Sequence, residues 1–187
     1  MNIIKQIIFI LLSLFLLYFS FTTIRQIVLY GPVQLGFGES FFLAFLINLC
    51  VTGIFAFPGF VLPTHRILPN GYYAIKNPSK VMKWYRILGV EYFQKLLMLF
   101  FWGRKANRKK FFDGTKSGLK NFNYLSKQSE FGHLGPFIII LLIAIFFIFS
   151  SYLLLMIFTV LINFIGNLYP VILQRYHRIR IGKILSN

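Results

Sequence analysis

Four blocks of apolar residues alternate with short polar links and one long basic stretch. Residues 3–24, IIKQIIFILLSLFLLYFSFTTI, form the first block. Its apolar part matches the ~30 Å hydrocarbon core that a helix of about 20 residues crosses. No A-x-A-like site follows, so an uncleaved membrane helix is expected rather than a signal peptide. The link RQIVLYGPVQLGFGES leads to a second block at 41–63, in which Pro58 is placed to kink the helix and Pro63 to stop it. Residues 136–173 are apolar over 38 positions, too many for one span and about right for two. Ser150-Ser151 is the natural break, giving spans at 135–149 and 152–173. None of the blocks alternates as a strand does, and in lipid a helix satisfies its own backbone. The expected fold is an all-α integral membrane protein, a single membrane domain over 1–187 with four transmembrane helices.

Between the second and third spans the character reverses. Residues 64–133 hold 14 of the 20 lysines and arginines, which places the segment 64–134 on the cytoplasmic side. Four spans with a tight hairpin bring both termini to that side, with Lys5 at one end and Arg175, Arg178, Arg180 and Lys183 at the other. A multi-pass protein of the cell membrane is expected. Asn77-Pro78 followed by Ser79 reads as a turn and N-cap opening a basic, amphipathic helix through SKVMKWYRILGVEYFQKLLMLFFW. The next stretch, GRKANRKKFFDGTKSGLKNF, reads as irregular and solvated.

Composition agrees: 57% of residues are hydrophobic and 13% charged, against about a quarter charged in soluble domains. Glu39, Glu91, Asp113 and Glu130 are the whole acidic complement, so the formal charge is +16. With this hydropathy the expected partner is the anionic membrane surface and not nucleic acid. Cys50 is the sole cysteine, which excludes an intramolecular disulfide and a cysteine metal site. His65 and His177 have no metal-ligand spacing, and His65, beside Arg66, is expected at the surface. There is no G-x-S-x-G, Walker loop, dinucleotide fingerprint or HExxH.

Two polar features remain. In the last span Asn163, Asn167, Pro170 and Gln174 fall on one helical face, which leads into QRYHR at 174–178. An amide seam in lipid needs a helix partner or a wet cavity, and helix packing alone explains it. Terminal arginines also have a plain role, snorkelling to headgroups and complementing the helix dipole. The cluster of Gln174, Arg175, Tyr176, His177 and Arg178 has the further capacity to hold a phosphate or carboxylate, Arg by its planar fork and Tyr by its hydroxyl. Ahead of the third span, SEFGHL places Glu130 and His133 three apart on one face, a spacing at which a carboxylate can orient an imidazole base.

The closing NLYPVILQRYHRIR resembles the N-x-x-P-x-x-x-QRYNR-x-R signature of the glycosyl-4,4'-diaponeurosporenoate acyltransferases of staphyloxanthin-type carotenoid synthesis. SEFGHL is similar to that family's A-E-x-x-H element, and KWYRILGVEYFQKLL to its W-x-x-x-LGV-x-x-[WF]-x-x-LL helix. The resemblance covers about the last 110 residues; His177 stands where Asn is usual, Ile179 where Pro is common, and GRKANRKK where an LP-containing turn is usual. It implies an enzyme that esterifies a sugar hydroxyl of a carotenoid glycoside or related glycolipid with a fatty acyl group. Glu130 and His133 would be catalytic; Asn167, Gln174, Arg175, Tyr176, Arg178 and Arg180 would bind substrate. No cofactor is expected, with acyl-CoA or a similar activated donor as co-substrate. The two clusters are expected to share one pocket. The competing expectations are a non-catalytic membrane protein that binds anionic lipid or an acidic partner, and another small lipid transferase such as a methyltransferase.

Overall fold

The computed structural model describes residues 3–29, 35–102 and 115–185. Regular structure among them is helical: α1 (Ile3–Leu29), α2 (Phe37–Gly59), α3 (Pro78–Ile87), α4 (Val90–Leu97), α5 (Lys116–Phe149), α6 (Leu153–Asn163) and α7 (Tyr169–Leu185). A π-helical turn at Phe164–Leu168 joins α6 to α7. Four helical stretches are long and apolar enough to cross a membrane, Ile3–Leu29, Phe37–Gly59, Lys116–Phe149 and Leu153–Leu185. The chain is an all-helical membrane protein, as its hydropathy predicts.

The boundaries shift for identifiable reasons. The second span ends at Gly59 and not at residue 63, because Pro58 has no N–H for the Ile54 carbonyl and the helix unwinds there. The Ser13 hydroxyl of α1 donates to that freed carbonyl at 2.8 Å. The expected hairpin break is in place: α5 stops at Phe149, and Ser151 has a φ of 62°. The amphipathic helix expected from Ser79 is instead two helices, since Gly89, at φ 75°, turns the chain between Ile87 and Val90. Its N-cap is Asn77, in left-handed geometry, with Pro78 in the first turn. Lys116–Phe122, expected to be irregular, opens α5; residues 103–114 of the expected basic loop lie outside the described residues.

Contacts divide the chain into two units, one of residues 1–64 with 131–168 and the other of 65–130 with 169–187. In the first, α1, α2, the distal part of α5 and α6 pack around Ala44, Ile47, Val51, Ile140, Phe147 and Leu155. Large side chains such as Leu11, Phe15, Phe42 and Ile148 are exposed while Asn48, Thr159 and Asn163 are buried. That inverts a soluble protein's pattern and suits a lipid solvent. Gly135 of α5 lets α2 approach closely, for a Cβ there would sit 2.4 Å from the Phe55 ring. In the second unit, α3, α4, the first turns of α5 and α7 carry most of the polar and charged contacts.

Candidate active site

In the first unit, the seam residues form a directed chain of hydrogen bonds. Asn163 donates through Nδ2 to the Phe137 carbonyl at 3.0 Å, which turns its Oδ1 to accept from Asn167 Nδ2, also at 3.0 Å. Asn167 is thereby oriented too: its Oδ1 accepts from the Thr52 hydroxyl at 3.1 Å and lies 3.2 Å from His133 Nδ1. An amide oxygen only accepts, so Nδ1 carries the proton and Nε2 keeps the lone pair. Asn163 and Asn167 are 0% and 1% exposed, so neither amide has water as an alternative partner.

The π-helical turn carries Asn167 itself. Pro170 has no N–H to give the Gly166 carbonyl four residues earlier, so that carbonyl lacks its usual helical donor next to Asn167. The N-x-x-P spacing therefore has a physical content, with Asn167 supplying one acceptor and Pro170 releasing another. Thr52, from α2, is the member that the sequence does not single out.

Glu130 belongs to the second unit and is 0% exposed. Its Oε1 accepts from Arg175 Nε at 2.7 Å, and its Oε2 accepts from Arg178 Nη2. Of the expected pair, Glu130 thus meets Arg175 and Arg178 while His133 meets Asn167, each within its own unit. A buried carboxylate needs cationic donors, and α7 presents two a turn apart. Arg175 also donates to the Tyr72 carbonyl at 3.4 Å and stacks on the Tyr72 ring at 4.7 Å; Arg178 donates to Ser126 and lies over Tyr73 at 5.5 Å. Burial, with the Glu130 charge second, pushes the Tyr73 hydroxyl up to about 12 and raises that of Tyr72. Both phenols are neutral at physiological pH.

The remaining residues of the cluster separate around α7. The Tyr176 hydroxyl donates to Glu91 Oε1 at 2.6 Å, and Arg86 donates to the same oxygen at 3.0 Å. Tyr176 first, then Arg86, holds the Glu91 carboxyl below the usual range. Gln174, His177 and Arg180 border a cavity of about 500 Å³ whose other walls include Leu119, Phe122, Leu125 and Leu173. His65 is buried, correcting the surface expectation: its Nδ1 is 2.6 Å from Gln128 Oε1, and its carbonyl accepts from Tyr73. Among the described residues there is no group of three or more His, Cys, Asp or Glu able to hold a metal.

No curated protein and no solved structure matches the chain. A family model described as glycosyl-4,4'-diaponeurosporenoate acyltransferase matches residues 69–187, a range that includes Glu130, His133, the π-helical turn and all of α7. That range is more than half of the chain, and the protein belongs to the glycosyl-4,4'-diaponeurosporenoate acyltransferase family, an acyltransferase in the membrane.

Proposed function

We propose that the protein transfers a fatty acyl group from an activated donor to a sugar hydroxyl of a carotenoid glycoside or related glycolipid, with His133 as the base. The observation that carries this reading is the fixed direction of the Asn163–Asn167–His133 chain, which leaves a lone pair on Nε2. In the reaction, Nε2 takes the proton of the sugar hydroxyl as its oxygen attacks the acyl carbonyl. Such base catalysis is worth roughly 10²–10⁴-fold. Asn167 stabilises the imidazolium that results, and the imidazolium returns the proton to the leaving group.

Arg175, Arg178 and Arg180, with Gln174 and Tyr176, are the cationic and polar groups that α7 offers to the donor's anionic head. Glu130 takes the catalytic label only indirectly, as the anchor that keeps Arg175 and Arg178 buried and ordered. The apolar walls around Leu119, Phe122, Leu125 and Leu173 suit a hydrocarbon chain. A thioester such as acyl-CoA fits the donor class. The protein sits in the cell membrane with both termini on the cytoplasmic side, because four spans return the chain to the side favoured by its lysines and arginines. An external reporter signal from a C-terminal fusion would contradict that orientation.

The test is mass spectrometry of lipids from cells making a carotenoid glycoside, with and without the gene. An acyl ester of the glycoside that appears only with the gene supports the reading. Identical profiles under confirmed expression would reject it.

A further inference from the structure

Around one side of α7, within the second unit, lies a cavity of about 670 Å³ bordered by Asn70, Ser79, Asn123, Lys127, Arg178 and Lys183. Three of these residues are cations and no acid is among its walls. The Glu130 carboxylate that Arg178 meets also accepts from Arg175. Lys127 Nζ and the Arg178 guanidinium lie over the same ring, Tyr73, at 5.4 and 5.5 Å. Lys127 and Arg178 thus gather on one ring, and like charges so placed repel unless an anion joins them.

Two independent features point the same way. Arg178 is 7% exposed, yet its Nε has no hydrogen-bond partner, and a buried guanidinium N–H left unpaired is costly. The wall at Pro78 and Ser79 is the first turn of the ten-residue helix α3, whose N-cap, Asn77, makes no side-chain cap. Pro78 has no N–H, so the Ser79 and Lys80 amides are the ones left at that end without a capping side chain, and such a helix end attracts anions through both its N–H groups and its dipole.

We infer that this cavity is a binding site for a phosphate group, held by Arg178 and Lys127 against the open N-terminus of α3. Asn70 and Asn123 supply further amide donors. The inference deepens the part of the functional reading that gives α7 an anionic ligand: it names the ligand's chemistry and adds Lys127, Asn123 and Ser79 to the residues that meet it. The phosphate belongs either to a soluble phosphorylated donor or to a phospholipid headgroup.

The experiment is thermal unfolding of the full chain in neutral-detergent micelles, titrated with inorganic phosphate against sodium chloride at matched ionic strength. Binding, read without turnover, separates failure of this site from failure of the acyl-transfer reading. The wild type shows a saturable rise in Tm with phosphate alone. Lys127→Gln weakens that binding at least about tenfold, the loss of one charge-assisted contact. Gly182→Glu places a carboxylate in the cavity at a position where a Cβ meets nothing within 4 Å, and it abolishes the phosphate response while the phosphate-free Tm is retained. Repeated in nanodiscs, a phosphate response that persists in a phosphate-free neutral glycolipid bilayer and disappears with phosphatidylglycerol assigns the site to a headgroup. A response retained in both assigns it to a soluble donor. A wild-type rise no larger than that from chloride, or one unchanged in both variants, overturns the inference.

Discussion

Asn167 Oδ1 lies 3.2 Å from His133 Nδ1, on an amide that Asn163 and Thr52 hold in one orientation. This single contact decides which imidazole nitrogen is free to take a proton. It also separates the role of His133 from that of Glu130, whose carboxylate serves α7.

Asn163 touches no candidate substrate group, and acts only through Asn167. Asn163→Ala releases the Asn167 amide to rotate, so kcat is expected to fall by about tenfold or more while KM changes little. Asn163→Gln does not restore the register of the chain. Steady-state kinetics on the detergent-solubilised enzyme check this, and a loss confined to KM would contradict the positioning role.

Removing Glu130 leaves two guanidinium groups facing each other without a counter-ion. Glu130→Ala is expected to cost roughly 3–5 kcal/mol, read as a large fall in folded protein at equal expression. Glu130→Asp keeps the charge and is expected to recover part of the loss. If Glu130→Ala folded as well as the wild type but lost activity alone, Glu130 would be chemical and not structural.

Much of this was legible in the primary structure. The 38-residue apolar stretch demanded a break, and the adjacent serines were its only polar pair. The amide seam was visible as a periodicity. Partner choice was not, since a spacing of three places Glu130 and His133 on one face without saying which helix meets each of them. Tyr72 and Tyr73 lie in a single short helical turn with no periodic signal, and Thr52 is one hydroxyl in an apolar run. The helix break at Gly89 was hidden because apolar spacing continues through it, and only the backbone conformation marks the turn.

Close approach of α2 to α5 depends on a missing side chain. Gly135→Ala drives a methyl group into the Phe55 ring and is expected to destabilise by about 1–3 kcal/mol. Pairing it with Phe55→Leu gives the ring's space back. A double variant no more stable than Gly135→Ala alone, by thermal unfolding in detergent, would contradict this packing.

The Tyr176–Glu91 bond gives a pH signature. The Glu91 carboxyl is held lower in the folded protein than in the unfolded chain, first by the Tyr176 hydroxyl. Its stabilising contribution is therefore complete above the unfolded value of about 4.3 and is lost as pH falls through the folded one. Tyr176→Phe is expected to lower Tm at neutral pH, by an amount that shrinks as the solution is acidified through that range. A difference constant from pH 7 to pH 3 would contradict it.

The most direct measurement is turnover by purified His133→Ala, compared with His133→Gln and wild type, with a carotenoid glycoside and an acyl thioester. The account predicts a fall of about 10²–10⁴-fold in both variants, with folding and membrane insertion unchanged. Turnover at the wild-type rate in His133→Ala would remove the imidazole from the chemistry and with it the proposed mechanism.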